Sequence, residues 1–427
     1  MVWVFWLSVA AVLYVYAGYP ILLRVWTRLR PNPVRCGMWT AECGKRSGIQ
    51  KPEFPDSALR IPHSALAPGV SIVIAARNEA AGLPARIDNL LSLDYPADRR
   101  QIIVVSDGST DDTALVLEKY RDVVDVVAMP PGGKALALNA GVAAARHEIL
   151  VYADARQVFA PDALRELVAP FTDRTVGAVT GELRLDAESP CRRTGRDRRV
   201  AERRAESRTL SADRREDERR RTLRSTIADG VGLYWKYEKQ LRRLESTVAS
   251  TLGATGAIYA IRRSLYRPLP ADTILDDVLT PMRAVLAGHR VVFNDRARAF
   301  DRAAADADAE ARRKIRTLAG NYQILALEPR LLLPWRNPVW LQYLSHKLGR
   351  LVVPYALLAI FVASLVLTGR SGSFVSVYGA ALAGQVLLFL LAGVGATLEF
   401  TTRRRDGQRP GAGAEPLRAT HAVREIA

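Results

Sequence analysis

Residues Val70–Asp112 read VSIVIAARNEAAGLPARIDNLLSLDYPADRRQIIVVSDGSTDD. The opening run, VSIVIA, carries no charge and is rich in β-branched residues, the pattern of a strand buried on both faces. From Ala80 to Leu91 the apolar positions return at helical spacing, and QIIVVSD then forms a second buried strand that stops on Asp107. Strands joined by a helix-length crossover pair in parallel, because no tight turn can close a parallel pair.

The alternation continues outward. Thr113–Tyr120 reads as a helix, VVDVVAM as a third strand, Lys134–Ala145 as a helix and EILVYAD as a fourth strand. Pro161 opens another helix in its first turn, where proline is tolerated, and VGAVTGEL is a fifth strand. The expected fold class is α/β: a Rossmann-like, mixed but mostly parallel sheet with helices on both faces. Ligands of such sheets gather at the carboxyl ends of the strands, where both Asp107 and Asp154 stand. Neither GxGxxG nor GxxxxGKS/T occurs, which argues against a dinucleotide-binding Rossmann domain and against a P-loop ATPase.

Beyond the fifth strand, Glu188–Asp229 is dominated by Arg with interleaved Asp and Glu, and has no apolar stripe to bury. Such a segment cannot offset its own ordering entropy, so disorder or a solvated helix is expected. Without interleaved aromatics it does not suit single-stranded nucleic acid. Leu233–Val248 then reads as an amphipathic helix, and the small residues after Ser250 lead into a short strand. Leu275–Ala287 is a helix opening on two carboxylates, HRVVFND a last strand and Glu310–Leu327 a basic helix.

Of the 427 residues, 61 are Lys or Arg against 44 Asp or Glu, a net charge of +17. Nucleic acid, an anionic membrane or phosphorylated small molecules are the partners such a balance suggests. Here the excess sits beside apolar segments and in the Arg-rich stretch, so a membrane is the expected partner and nucleic acid is not. Val2–Leu23, Leu351–Thr368 and Phe374–Leu398 are apolar and long enough to cross about 30 Å of hydrocarbon. Arg24, Arg28, Arg30, Arg35, His346, Lys347, Arg350 and Arg403–Arg405 flank them. The positive-inside rule then places the stretch between Arg24 and Arg350 in the cytoplasm, at a bacterial-type inner membrane. A cleaved signal peptide is the other reading of the first segment, disfavoured by its lack of a basic n-region and by Tyr14, Tyr16 and Tyr19. A buried helical hairpin is the other reading of the last two.

Leu331–Leu344, LLLPWRNPVWLQYL, carries Trp335, Trp340 and Tyr343 and reads as an interfacial segment, or else as core packing of the cytoplasmic domain. Cys36, Cys43 and Cys191 fit no zinc spacing and read as reduced thiols. The expected organisation is thus a transmembrane helix over 1–28 and a linker over 29–68. The α/β domain has halves at 69–187 and 230–328, with an insertion over 188–229. An interfacial segment over 329–346, two transmembrane helices over 347–400 and a disordered tail over 401–427 complete the chain.

Chemistry is concentrated at the strand ends. Ala75-Ala76-Arg77-Asn78-Glu79 closes the first strand and Asp107-Gly108-Ser109-Thr110-Asp111-Asp112 the second. Gly108 permits a tight turn, and Asp111 or Asp112 can cap the following helix. Asp107 lies too early for a cap and can accept from a base N–H or a ribose hydroxyl. Lys134 opens a helix after Pro-Pro-Gly-Gly, and an ammonium at a helix N-terminus suits a diphosphate. ILVYADARQVFAPD, Ile149–Asp162, ends a buried strand on Asp154 with Arg156 two places later. Asp276 and Asp277 open a helix, where two carboxylates also favour the dipole.

With these elements on one edge, the chain resembles the family 2 glycosyltransferases, enzymes of the GT-A fold, over about Val70–Leu327. Its membrane segments are placed as in the hyaluronan, cellulose and poly-N-acetylglucosamine synthases. The resemblance implies nucleotide binding by Ala75, Arg77, Glu79, Asp107 and Lys134, in IAARNE, SDGSTDD and KALALN; Ser106 stands where many relatives carry another Asp. Asp154-Ala155-Arg156 matches the family's DxD element, which implies Asp154 as a ligand of Mg²⁺ or Mn²⁺ on the sugar diphosphate. Arg156 cannot ligate a metal. It either offers its guanidinium to the diphosphate or pairs with Asp154 or Glu182.

The family's acidic motif falls on Leu275-Asp276-Asp277, implying Asp277 as the base that deprotonates the acceptor, with Asp276 orienting it or near the acceptor. Thr255 and Gly256 are assigned to the acceptor side. The QxxRW motif of processive relatives corresponds to Arg313-Lys314-Ile315-Arg316-Thr317, which adds Arg313 and Arg316 to the nucleotide set and lacks the tryptophan platform for a polymer. The implied activity is inverting transfer from a nucleotide-sugar, a UDP-sugar, to a membrane-proximal glycan or lipid-linked acceptor. The alternative is a membrane-anchored nucleotide-sugar sensor or scaffold, with impaired catalysis, which Arg156 and Thr317 would favour.

Overall fold

A computed structural model gives the structure of the chain and describes residues 1–29, 67–186, 236–302, 307–371 and 376–405. Most of the expected linker, the Arg-rich insertion, the C-terminal tail and all three cysteines lie outside the described residues. The chain divides into two compact units, one of Ala17–Leu351 and one of Met1–Tyr16 with Val352–Ala427.

Among the described residues the larger unit is built on an eight-stranded sheet of order β3-β2-β1-β4-β7-β6-β8-β5. The strands are β1 (Val70–Ala76), β2 (Arg100–Asp107), β3 (Asp125–Met129), β4 (Ile149–Ala153), β5 (Val158–Phe159), β6 (Val176–Asp186), β7 (Ile258–Arg262) and β8 (Arg290–Arg302). β1 pairs in parallel with β2 and β4, β2 with β3, and β6 with β8. β7 runs antiparallel between β4 and β6, and β5 pairs antiparallel with β8.

Both faces of the sheet are covered, which is why β1 and β2 read as continuous apolar runs rather than alternating ones. Ile72 and Ile74 of β1, Ile102 and Val104 of β2 and Val151 of β4 face one layer. Leu83, Ile87 and Leu90 of the helix Leu83–Leu91 pack there, as do Leu164 and Leu167 of Ala163–Val168. Val73, Ile103, Val105, Leu150 and Tyr152 face the other layer. Ala135 and Leu138 of Lys134–Ala143 cover it, with Leu279, Met282 and Val285 of Asp276–Leu286. Each fully buried aliphatic side chain contributes about 1.5–3 kcal/mol, so the two layers dominate the stability of this unit.

Two differences from the sequence reading have local causes. β8 runs on past Asp295 to Arg302, because Ala297 and Ala299 are buried while the arginines between alternate outward. The short β5 then pairs Phe159 with Ala299. In Leu331–Leu344, Leu331, Val339 and Tyr343 are buried in the second core layer, whereas Trp335 is exposed. That segment therefore contributes core packing, and Trp340 already starts the next long helix.

Among the described residues, three helices are long and apolar enough to cross a membrane: Val2–Leu29, Trp340–Arg370 and Val377–Gly395. Within the smaller unit Phe5 packs against Ile360, Ala363 and Tyr378, its ring 5.0 Å from that of Tyr378. The large apolar residues Leu387–Leu391 are exposed, as lipid-facing side chains are.

Candidate active site

β1 and β2 end side by side, with Ala76 opposite Ser106, so the loops that follow them meet. Asn78, at φ 55°, accepts from the Thr110 N–H at 2.8 Å, and its own N–H donates to Ser109 Oγ at 3.2 Å. Asp111, rather than Asp112, accepts from the first helical amide, Thr113, and also from Ala80. The Thr113 hydroxyl is the main cause holding the Asp111 carboxyl below its ordinary range. Ala75 is half-buried at the strand end, and Arg77 is exposed.

Asp107, 4% exposed, accepts from the N–H of Gly132 at 2.6 Å and of Gly133 at 3.0 Å. The tight turn behind it requires glycine: Gly108 has φ +56°, and a Cβ there would lie 2.3 Å from Pro131. Asp107 thereby fastens the Pro-Pro-Gly-Gly turn that presents Lys134 at the start of its helix. Both of its oxygens already hold backbone amides, a role that sequence reading did not foresee.

Lys134 Nζ lies 3.2 Å from Asp154 Oδ1 and 3.5 Å from Asp276 Oδ1, so one ammonium ties the tip of β4 to the start of the Asp276–Leu286 helix. Its side chain is 43% exposed; desolvation by the surrounding atoms would lower its pKa, but Asp276, Asp154 and Asp277 outweigh that and hold it well above the lysine range. Asp276 is 6% exposed, and burial pushes its carboxyl up to about 6; Lys134 opposes that rise, while Asp277 and Asp154 add to it. The stacked rings of Tyr152 and Tyr259, 4.6 Å apart, lie within electrostatic reach of Asp276, and burial raises both phenols. The site is thus a charge cluster backed by apolar and aromatic core.

Arg156 pairs with neither Asp154 nor Glu182: its Nε lies 3.0 Å from Glu79 Oε1. That contact joins the RNE segment after β1 to the loop after β4, both at the same edge. On the other flank, the Gly256 N–H donates to Asp277 Oδ2 at 3.2 Å, and the Ala254 N–H donates to the Asp277 carbonyl at 2.7 Å. Thr255 is held by its N–H on Thr180 Oγ1 at 2.8 Å.

Arg313 and Arg316 are exposed on the helix Ala307–Leu327, and neither is among the charges acting on Lys134 or Asp276. That helix docks further on, where Gln323 Oε1 accepts from the Ile274 N–H at 2.9 Å. The structure therefore brings Lys134, Asp154, Asp276 and Asp277 together with Asp107 behind them. It joins Glu79 to Arg156 and leaves Arg77, Arg313 and Arg316 outside the cluster.

Two cations escaped the sequence reading. Arg242 Nη1 donates to Thr255 Oγ1 at 2.6 Å, from the helix over 236–248. Lys347 stands within electrostatic reach of Asp277, Arg242, Glu238 and Arg350. Arg242 is one of two adjacent arginines on an amphipathic helix, and Lys347 reads as a topology signal beside a span, so neither carried a distinct mark.

Among the described residues no group of three or more His, Cys, Asp and Glu converges as metal ligands do. The half-exposed Asp154 and its neighbour Asp276 nevertheless suit an ion held by one or two carboxylates plus substrate phosphates, as Mg²⁺ commonly is.

Comparison with known proteins bears on the domain and its fold. Residues 71–245 match the glycosyl transferase family 2, a match that ends before Asp276 and Asp277. A beta-monoglucosyldiacylglycerol synthase of Synechocystis is 37% identical over 118 residues, 26% of this chain and 25% of that protein. A poly-beta-1,6-N-acetyl-D-glucosamine synthase of Staphylococcus epidermidis is 34% identical over 125 residues, 28% of this chain and 30% of that protein. The chain thus spans a quarter to under a third of the length of these two relatives. The solved structure of a mannosyltransferase from Pyrobaculum calidifontis, with GDP-mannose and Mn²⁺, superposes at a TM-score of 0.56 and 21% identity, over 91% of this chain and 97% of that one; at such identity the likeness carries the fold. Residues 71–245 are a family 2 glycosyltransferase domain on a GT-A fold.

Proposed function

We propose that the protein transfers a sugar from a nucleotide-sugar, a UDP-sugar, to a membrane-proximal glycan or lipid acceptor, with inversion at the anomeric carbon. The observation that carries this reading is the bridge by which Lys134 joins Asp154 and Asp276 beside Asp277. It sets cationic and acidic groups side by side at the carboxyl edge of the sheet, where diphosphate charge and an acceptor proton must both be handled.

Asp277 is the general base. Its Oδ2 is occupied by the Gly256 N–H, which leaves Oδ1 to accept the acceptor's hydroxyl proton. As that O–H bond breaks, the acceptor oxygen bonds to the anomeric carbon, and the carbon–oxygen bond to the diphosphate breaks with its electron pair. The Lys134 ammonium, permanently charged, stands beside the developing diphosphate charge. A divalent ion, held by Asp154 and phosphate oxygens, would add charge neutralisation there when bound. Asp276 holds Lys134 in place, and Glu79 holds Arg156 within the nucleotide-binding edge.

The test is a panel of radiolabelled UDP-sugars with membranes containing the chain and native lipids, the product sized by chromatography. Asp277→Asn should abolish transfer while nucleotide affinity stays within about twofold, since it removes the base and no donor contact. Equal loss of both would remove Asp277 from the role of base.

A further inference from the structure

We propose that Arg242 is a positioning residue for Asp277, acting through the turn Thr255-Gly256. This rests on the reading of Asp277 as the general base. Asp277 lies in the first turn of its helix, and its carboxylate is aligned from outside that helix by the Gly256 N–H, 3.2 Å from Oδ2. How firmly that amide is held decides how well Oδ1 is aimed at an acceptor hydroxyl, and a misplacement of about 1 Å can cost on the order of a hundredfold in rate. Gly256 has no side chain by which it could be held, and a Cβ there would lie 3.0 Å from Asp277 Oδ2. Its placement therefore passes through its neighbour, Thr255.

Thr255 is held at three atoms. Its N–H donates to Thr180 Oγ1 on β6 at 2.8 Å, and its carbonyl accepts from the Ile258 N–H at the start of β7 at 2.9 Å. Its hydroxyl accepts from Arg242 Nη1 at 2.6 Å, a charge-assisted bond that fixes the side chain as the other two fix the backbone. Arg242 is half-buried and starts from a helix that is itself fastened on both sides. Lys239 and Arg243 pair with Glu182 of β6 and Asp295 of β8. Leu241 and Val248 pack with Tyr19 and Leu23. Glu245, fully buried, accepts from the Tyr19 hydroxyl at 2.9 Å, with His346 Nδ1 at 2.6 Å. The 236–248 helix is thus a rigid mount, and the guanidinium carries its placement to the turn that aligns the base.

The experiment uses the full chain, in native-lipid membranes for turnover of radiolabelled UDP-sugars and in detergent micelles for UDP binding and amide exchange. R242Q should lower kcat about tenfold per UDP-binding site, with KM for the UDP-sugar within about twofold, and R242K should recover most of the loss. T255V, which leaves the helix intact and carries the same prediction if R242Q does not fold, should lower kcat to a similar extent. The double variant R242Q/T255V should be no worse than the more impaired single one, because both cut the same link. Amide exchange over residues 253–258, read by mass spectrometry, should quicken about tenfold in R242Q and stay at the parent rate in R242K. A normal kcat in R242Q, losses that multiply in the double variant, a donor KM that rises as kcat falls, or exchange unmoved in both R242Q and T255V overturns the proposal. Faster exchange in R242Q, in a chain that consumes none of the UDP-sugars, would instead refute the transferase reading and leave the hold of Arg242 on the turn standing.

Discussion

Replacing Asp276 by Asn should make the protein more stable and less useful. Burial lifts this carboxyl from the ordinary 3.8 to about 6 in the folded chain. The sign follows from proton binding: the folded state holds the proton more tightly, so folding is disfavoured wherever the group must ionise. Stability from this group is highest below pH 4, falls between pH 4 and 6, and stays low above. The two-unit rise, at 1.36 kcal/mol per unit, makes the cost about 3 kcal/mol at pH 8. Lys134 is already included in that figure, because its attraction is what keeps the rise from being larger. Asp276→Asn imitates the protonated form and should gain most of this amount at pH 8 and almost nothing at pH 4. Chemical unfolding of the whole chain in micelles, followed by tryptophan fluorescence at both pH values, measures it. A variant no more stable than the parent at pH 8, or a gain that persists at pH 4, would refute the reasoning. The activity should fall, since Lys134 loses the carboxylate that holds it, a trade expected where a site keeps a charge in an unfavourable place.

Two other expectations follow from the same cluster. Asp154→Ala should weaken nucleotide binding in Mn²⁺ by about tenfold or more while leaving metal-free binding nearly unchanged; titration calorimetry with and without chelator reads the difference, and identical metal dependence would remove Asp154 from the ion. Gly256→Ala would place a Cβ 3.0 Å from Asp277 Oδ2, forcing the carboxylate to shift by a few tenths of an ångström; kcat should drop about tenfold with donor KM unchanged, whereas a normal kcat would mean that Asp277 needs no fixed placement.

The sheet was legible because β1, β2 and β4 must be apolar on both faces, and that signal survives without any knowledge of partners. The residues at their tips were legible for the same reason: a charge that interrupts such a run stands at the edge by geometry. What the sequence concealed was pairing. Nothing local distinguishes an Arg156 that meets Glu79 from one that meets Asp154, since the choice depends on how two loops 77 residues apart converge. Asp107 looked like a ligand group because a strand-end carboxylate usually has no other employment, yet here the Pro-Pro-Gly-Gly turn folds back to supply two amides. Lys347 was read as a marker of membrane orientation, although the same side chain lies within reach of Asp277. A basic residue flanking a span satisfies the topology rule wherever its ammonium points, so the rule carries no information about which carboxylate it meets.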